Sequence, residues 1–423
     1  VGQTLIEKII ARASAKKKKG DSPLFVSRGE IVFVSPHRIL SHDNSADISK
    51  TFKKMGAKKV WNPGRIFIAL DHAVPPPDEK KALNHKLIRD FVAEQGIKNF
   101  YDCGVGICHQ VLPEFGHVVP GVIILGSDSH TTTHGAFGAA GIAIGRTETA
   151  SVWAIGETWL KVPETIKIVL KGKLKKGVYA KDAILFIIGQ IGADGANYKS
   201  VEFHGEVIKR TSVSERMTIC NLSAEMGAKA AIVPFDETTK EWLKGRVKER
   251  YEPLYADTDA EYEKIIEYDL SDLEPQIACP HKVDNVHPVG ELPRIKFDVA
   301  FLGTCTNGRL DDLKIASEIV SGKKIASGVR LLIYPASQEV LRQALKLGYI
   351  EKLVAAGAEV AVPSCGPCLG AYGGVLAPGE KCISSANRNF KGRMGCKEGT
   401  EIYLASPATV AASALAGYIT AEA

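Results

Sequence analysis

Apolar runs alternating with helical periodicity predict an α/β protein with mainly parallel sheets. Three observations carry this expectation. Short uninterrupted apolar runs recur, as strands covered on both faces require. Amphipathic segments lie between them, as crossover connections require. The length, 423 residues, suits about three domains at ~100–200 residues each.

In chain order, Val1–Ser14 has the pattern of an amphipathic helix, with Leu5, Ile6, Ile9 and Ile10 on one face. It lacks the charged start and apolar run of a secretory signal. Five apolar runs then each end in a polar cluster. Arg65–Leu70 leads into Asp71-His72, and Val122–Gly126 into Asp128-Ser129-His130. Asp298–Gly303 leads into Thr304-Cys305-Thr306-Asn307, and Glu359–Val362 into Ser364-Cys365. Lys381–Ser385 leads into Asn387-Arg388. Asp311–Ile319 and Gln338–Leu347 read as helices between such runs. Parallel sheets bind ligands beyond the carboxyl ends of their strands. One polar cluster after a strand is ordinary, but five rich in His and Cys point to a site. Soft breaks near Val162-Pro163 and His287-Pro288 suggest α/β domains over 1–163, 164–288 and 289–423.

Composition narrows the function classes. Hydrophobic residues make up 45% of the chain and aromatics 7%, as in an ordinary globular α/β protein. The net charge of +6 is mild. Its densest cationic run, Lys16–Lys19, reads as a solvated loop and not a nucleic-acid stripe, so nucleic acid is not an expected partner. A basic balance suits an anionic substrate drawn in by steering. No run reaches the ~18 apolar residues a membrane helix needs. Nine cysteines without a signal predict thiols in a reducing compartment and a cytoplasmic protein.

Cys365-Gly-Pro-Cys368 supports two readings. A CxxC is a redox pair in thioredoxin-like units, but there it opens a helix in a compact unit of about a hundred residues. A CxxC also places two thiolates on one metal centre. Cys305 stands at a matching strand end, which favours metal. Structural zinc wants four ligands, and no second CxxC or His pair is evident. Three thiolates imply a centre with one open corner, able to polarise a substrate oxygen. Cys382 and Cys396 stay open as a fourth ligand. Cys103 and Cys279 read as structural.

Seven separated motifs resemble those of the aconitase superfamily, in its order. They are Asp71-His72, Cys108-His109-Gln110, Asp128-Ser129-His130-Thr131, Cys220-Asn221-Leu-Ser-Ala-Glu225, Gly303-Thr-Cys305-Thr-Asn-Gly-Arg309, Ser364-Cys365-Gly-Pro-Cys368, and Asn387-Arg388-Asn389-Phe390-Lys-Gly-Arg393. Within it the chain looks like the large subunits of the isopropylmalate isomerase and homoaconitase branch. His42-Asp43 fits that branch; Asn44-Ser45-Ala46 departs from its usual Thr and Pro.

The resemblance implies three α/β domains around a central cluster, without the swivelling fourth domain. It implies a [4Fe–4S] cluster on Cys305, Cys365 and Cys368, with one iron not ligated by protein, and a dehydration–rehydration reaction on a hydroxy-polycarboxylate. Asp71 and His72 would protonate the departing hydroxyl. His109 with Asp128 would be a second such pair, with His130 and Glu225 nearby. Arg388 and Arg393 would hold carboxylates, and Asn387, Asn221, Ser129 and His42 would line the site. Gln110, Thr131 and Asn307 would support these groups or form turns. The resemblance also implies a separate small subunit carrying the swivelling domain and a serine base, and little activity for this chain alone. Isopropylmalate isomerisation is the leading expectation; homoaconitase, a methylmalate-type hydratase and a cluster-free RNA-binding regulator are the alternatives.

Overall fold

A computed structural model describes residues 2–15, 25–370 and 372–422; the Lys16–Lys19 run lies outside the described residues. The fold is α/β, with three large sheets and a two-stranded ribbon.

The expected first helix is Leu5–Ala13. Thr4 and Glu7 close its start, the Thr4 N–H donating to the Glu7 carboxylate at 2.7 Å. Leu5, Ile6, Ile9 and Ile10 are all buried.

The first large sheet is wholly parallel. Its strand order is Asn99–Tyr101, Ile66–Ala69, Arg38–Ser41, Ile123–Gly126, Ala140–Ala143. The chain winds one way from Arg38–Ser41 and the other way from Ile123–Gly126. The crevice beyond the carboxyl ends of these two neighbours is a topological switch point. His42 follows the first strand and Asp128 the second.

The seven-stranded sheet repeats this logic. Val299–Leu302 leads outward through Arg330–Ile333 to Glu359–Val360, all parallel. On its other side lie Lys381–Ser384 and Glu401–Ala405, also parallel. The switch point falls between Val299–Leu302 and Lys381–Ser384, which run into Cys305 and Asn387. Gln276–Ala278 and Val286–Pro288 complete this sheet as an antiparallel hairpin on Glu401–Ala405. By hydrogen bonding, therefore, the third sheet begins before the expected break near His287-Pro288.

A four-stranded parallel sheet (Ala230–Ile232, Ser200–His204, Thr165–Lys171, Lys264–Asp269) lies between them in sequence. Next to it the helix Val213–Leu222 and the 3-10 turn Ser223–Met226 carry Asn221 and Glu225. The first and third sheets are joined directly: Ile107 N–H donates to Ala336 O at 2.8 Å, and Cys365 N–H to Asp71 O at 2.9 Å. Gly106 (φ 145°) sits at this joint, where a Cβ would lie 2.7 Å from the Ser337 backbone, so the close approach requires glycine.

Candidate active site

A cavity of about 240 Å³ opens where the two switch points meet. The first sheet lines it with His42, His72, His109, Asp128, Ser129 and His130; the third with Cys305, Cys365, Cys368, Asn387, Arg388 and Arg393. Asp71, Asn221 and Glu225, also expected at the site, stand just behind its wall.

Asp71 is fully buried and holds two donors. One oxygen lies 2.6 Å from His72 Nδ1. The other accepts the Cys108 N–H at 2.7 Å, satisfying an orphan donor at the start of helix Cys108–Glu114. That helix start also aims His109. Burial pulls the His72 pKa down, but the charge of Asp71 and contacts with Asp128 outweigh it and raise the value well above the ordinary one. His42 stacks on His72 with centroids 4.0 Å apart. Burial, then repulsion from His72, lowers its pKa to about 4. One imidazole of the stacked pair is thus held charged and the other neutral.

Asp128 caps the 3-10 helix Ser129–Phe137 by accepting the His130 N–H at 2.8 Å. The same oxygen lies 2.8 Å from His109 Nε2. Burial would raise its pKa, yet His109, His130 and His72 hold it well below the usual carboxylate range. Glu225 bridges two elements: its Oε1 meets His130 Nε2 at 2.8 Å and accepts from Arg388 Nε at 2.8 Å. Against burial, these partners lower its pKa.

The thiols face a set of N–H donors. Asn221 Nδ2 points at Cys305 Sγ at 3.2 Å, Asn387 Nδ2 at the same sulfur at 3.6 Å, and Arg393 Nη2 at Cys368 Sγ at 3.1 Å. Burial, then the nearby charges of Asp128 and Cys368, pushes the Cys305 pKa up to about 12. Burial and Asp71 raise that of Cys365 as well. A bound cation reverses this, because a coordinating thiol is deprotonated outright. Thr304 beside Cys305 has φ 75°, a strained conformation for a non-glycine residue of the kind found at functional sites.

The donor set fits an iron–sulfur cluster better than a single ion. Among the described residues, the possible ligand atoms that gather within 4.8 Å of one another belong to His42, Asp43, Asp71 and His72. Those carboxylates are already engaged: Asp43 accepts from the N–H groups of Asp71, His72 and Ala73 and meets His85. The three thiols line one cavity but are not among the atoms gathered within 4.8 Å of one another, as one zinc ion with ~2.3 Å bonds would require. The N–H groups aimed at sulfur are what cluster thiolates require.

Neither alternative fourth cysteine reaches the cavity. Cys382 lies buried within its strand, its Sγ 3.5 Å from Ile383 O, because the pleat turns it into the core. Cys396 lies near Glu398 O at 3.9 Å. Of the remaining motif residues, Thr131 Oγ1 donates to Asp128 O at 2.6 Å, Gln110 to Glu114 at 3.0 Å, and Asn307 to Asp312 at 2.9 Å.

Sequence reasoning missed several groups. Asn44, Ser127 and Arg146 also line the cavity, and Asp43 orients the Asp71-His72 turn. His42-Asp43 was legible as a pair, but not its four contacts. Arg146 opens helix Arg146–Ile155 and, among the described residues, pairs only with the exposed Asp47, at 3.2 Å.

The Aconitase family model (aconitate hydratase) matches residues 7–298 and 290–417. The chain is 49% identical to 3-isopropylmalate dehydratase large subunit 1 of Methanopyrus kandleri, over 99% of each chain. It is 53% identical to a probable methanogen homoaconitase large subunit of Methanosarcina mazei, over 90% of this chain and 97% of the other. The structure of Thermococcus kodakaraensis aconitase X matches with TM-score 0.50 and 16% identity over 84% of each chain, a likeness of fold. Among the described residues, no helix is long and apolar enough to cross a membrane.

Proposed function

The chain belongs to the aconitase family, and on that premise we propose that it is the large subunit of a hydro-lyase isomerising 2-isopropylmalate to 3-isopropylmalate. The observation that carries this reading is one cavity lined by three thiols, the imidazoles of two carboxylate–imidazole pairs and three guanidinia. Cys305, Cys365 and Cys368 would hold the [4Fe–4S] cluster. When bound, it supplies Lewis acidity at an iron that no protein group ligates, easing loss of a poor leaving group.

The chain's own residues handle protons and carboxylates. His72, kept charged by Asp71, donates its Nε2 proton to the departing hydroxyl. Asp128 faces that proton from 3.6 Å and keeps the imidazolium oriented before substrate arrives. His109 and His130, both anchored on Asp128, hold the leaving water for re-addition. Arg388, braced by Glu225, leaves its outer nitrogens free to fork a substrate carboxylate. Arg393 leans on Cys368 and offers its remaining donors to a second carboxylate. His42, kept neutral, stacks on the acid without competing for its charge. The base for the carbon-bound proton belongs, by family resemblance, to a small subunit whose swivelling domain carries a serine. The relatives named large subunits support such a partner.

A second reading, homoaconitase, is favoured by Arg146. A third guanidinium on the cavity wall suits an acid with a third carboxylate, and its exposed pairing with Asp47 is weak enough to exchange. The test is anaerobic co-expression with the small subunit. A brown complex that bleaches in air and hydrates cis-unsaturated acids supports the proposal. Comparing alkyl-branched with carboxylate-branched acids separates the two readings. A colourless complex inactive on all of them overturns both.

A further inference from the structure

Lys181 lies outside every motif that resembles the family, yet it reaches the back of the site. Its side chain is 1% exposed. Its ammonium donates to Ser385 O at 2.7 Å and Ala386 O at 2.6 Å, across 204 and 205 residues of sequence. Among the described residues it forms no salt bridge. It sits in the first turn of helix Ala180–Ile191, where the helix dipole disfavours a cation. Burial lowers its pKa to about 7, against the raising influence of Asp312, Asp182 and the Cys305 and Cys368 sulfurs. A dry, unpaired ammonium in an unfavourable helix position needs a negative charge to offset its desolvation.

Asp312 and Asp182 supply part of that charge, and the contacts point to a second source. Ser385 and Ala386 immediately precede Asn387, whose amide touches both Cys305 and Cys368. Ser385 Oγ also accepts the Gly303 N–H at 3.1 Å, tying the turn to the Cys305 loop. Two further buried cations approach the loops that carry these thiols. Arg309 donates to Cys305 O at 2.5 Å and Thr306 O at 2.7 Å, and Arg393 reaches Cys368 Sγ. Positive charge therefore flanks the thiol loops on several sides: Arg393 at the cavity wall, and Lys181 and Arg309 on backbone carbonyls outside the cavity lining.

We propose that Lys181 is a positioning residue that balances the negative charge of the thiolate-bound cluster and fixes the Asn387–Arg388 turn against it. The inference rests on the cluster reading above. Net charge near a cluster tunes its reduction potential, so removing this ammonium makes electron uptake harder.

The experiment uses the anaerobic complex with the small subunit. Lys181→Gln keeps N–H donors for the two carbonyls and removes the charge; Lys181→Arg keeps the charge. The readouts are the cluster's midpoint potential, the rate of its bleaching in air, and the melting temperature of the cluster-free chain. The expected result is a Gln variant with near-normal cluster-free melting, a more negative potential and bleaching several-fold faster, with both restored toward wild type in the Arg variant. An unchanged potential in the Gln variant overturns the inference and leaves the hydro-lyase reading standing. A Gln variant that cannot fold without cluster also overturns it, since Lys181 is then scaffold. A wild-type complex that binds no cluster sinks the functional reading, and this inference with it.

Discussion

In the five-stranded sheet the switch-point strands run into His42 and Asp128; in the seven-stranded sheet they run into Cys305 and Asn387. Both edges solve the same packing problem, since parallel sheets leave backbone groups and a crevice at their carboxyl ends. The first edge fills its crevice with carboxylate–imidazole pairs that set protonation states. The third fills its crevice with thiols backed by buried cations. The four-stranded sheet has a switch point too, between Thr165–Lys171 and Lys264–Asp269, but these strands run into Gly172 and Leu270 and contribute no such chemistry. Topology therefore offers the crevice, and the residues that follow each strand decide its use.

The division of labour breaks most severely on the thiol side. Cys365→Ser should abolish the brown absorbance and lower hydratase activity by at least about 10³-fold, the equivalent of several kcal/mol of lost Lewis acidity. On the proton side, Asp71→Asn should keep the absorbance while lowering kcat by about 10²–10⁴-fold, the range of general acid catalysis. Equal loss of absorbance in both variants would erase the distinction between the walls.

A pH profile sharpens the comparison. His72 is raised above its unfolded value of about 6.5. Its contribution to stability is therefore fully present below about 6.5 and is lost as pH rises through the higher folded value. The alkaline limb of catalysis should follow it, with activity falling as His72 loses its proton. Asp71→Asn should move that fall to lower pH, read from kcat against pH.

Arg388→Lys should raise KM about tenfold, with a smaller effect on kcat, because an ammonium cannot fork a carboxylate. The smallest effect belongs far from both walls. Thr4→Ala removes the hydroxyl that donates to Glu7 at 2.9 Å and accepts from Thr165 at 3.2 Å; it should cost about 1 kcal/mol of stability, seen in denaturant melts, and leave kcat/KM unchanged.

Much of this was legible in the residues. Each of the five apolar runs lies on a strand paired in parallel with its neighbours, and each polar cluster after them sits at a carboxyl end. The thiol trio and the Asp71-His72 pair could be read because each motif is short and local. Lys181 could not, because its partners lie some two hundred residues away. Arg146 stands outside every motif, and only the packing of its helix brings it to the cavity wall. Cys382 stayed open as a fourth ligand until the pleat fixed which way its sulfur points.

The sequence by itself determined the strand–helix alternation, the reactive groups at the strand ends and the family, since these follow from periodicity and contiguous motifs. Only the tertiary structure decided that the two edges face one another, which histidine carries charge, and which buried cations stand behind the thiols. Those outcomes depend on desolvation and on distances between segments remote in the chain, and neither is written in local order.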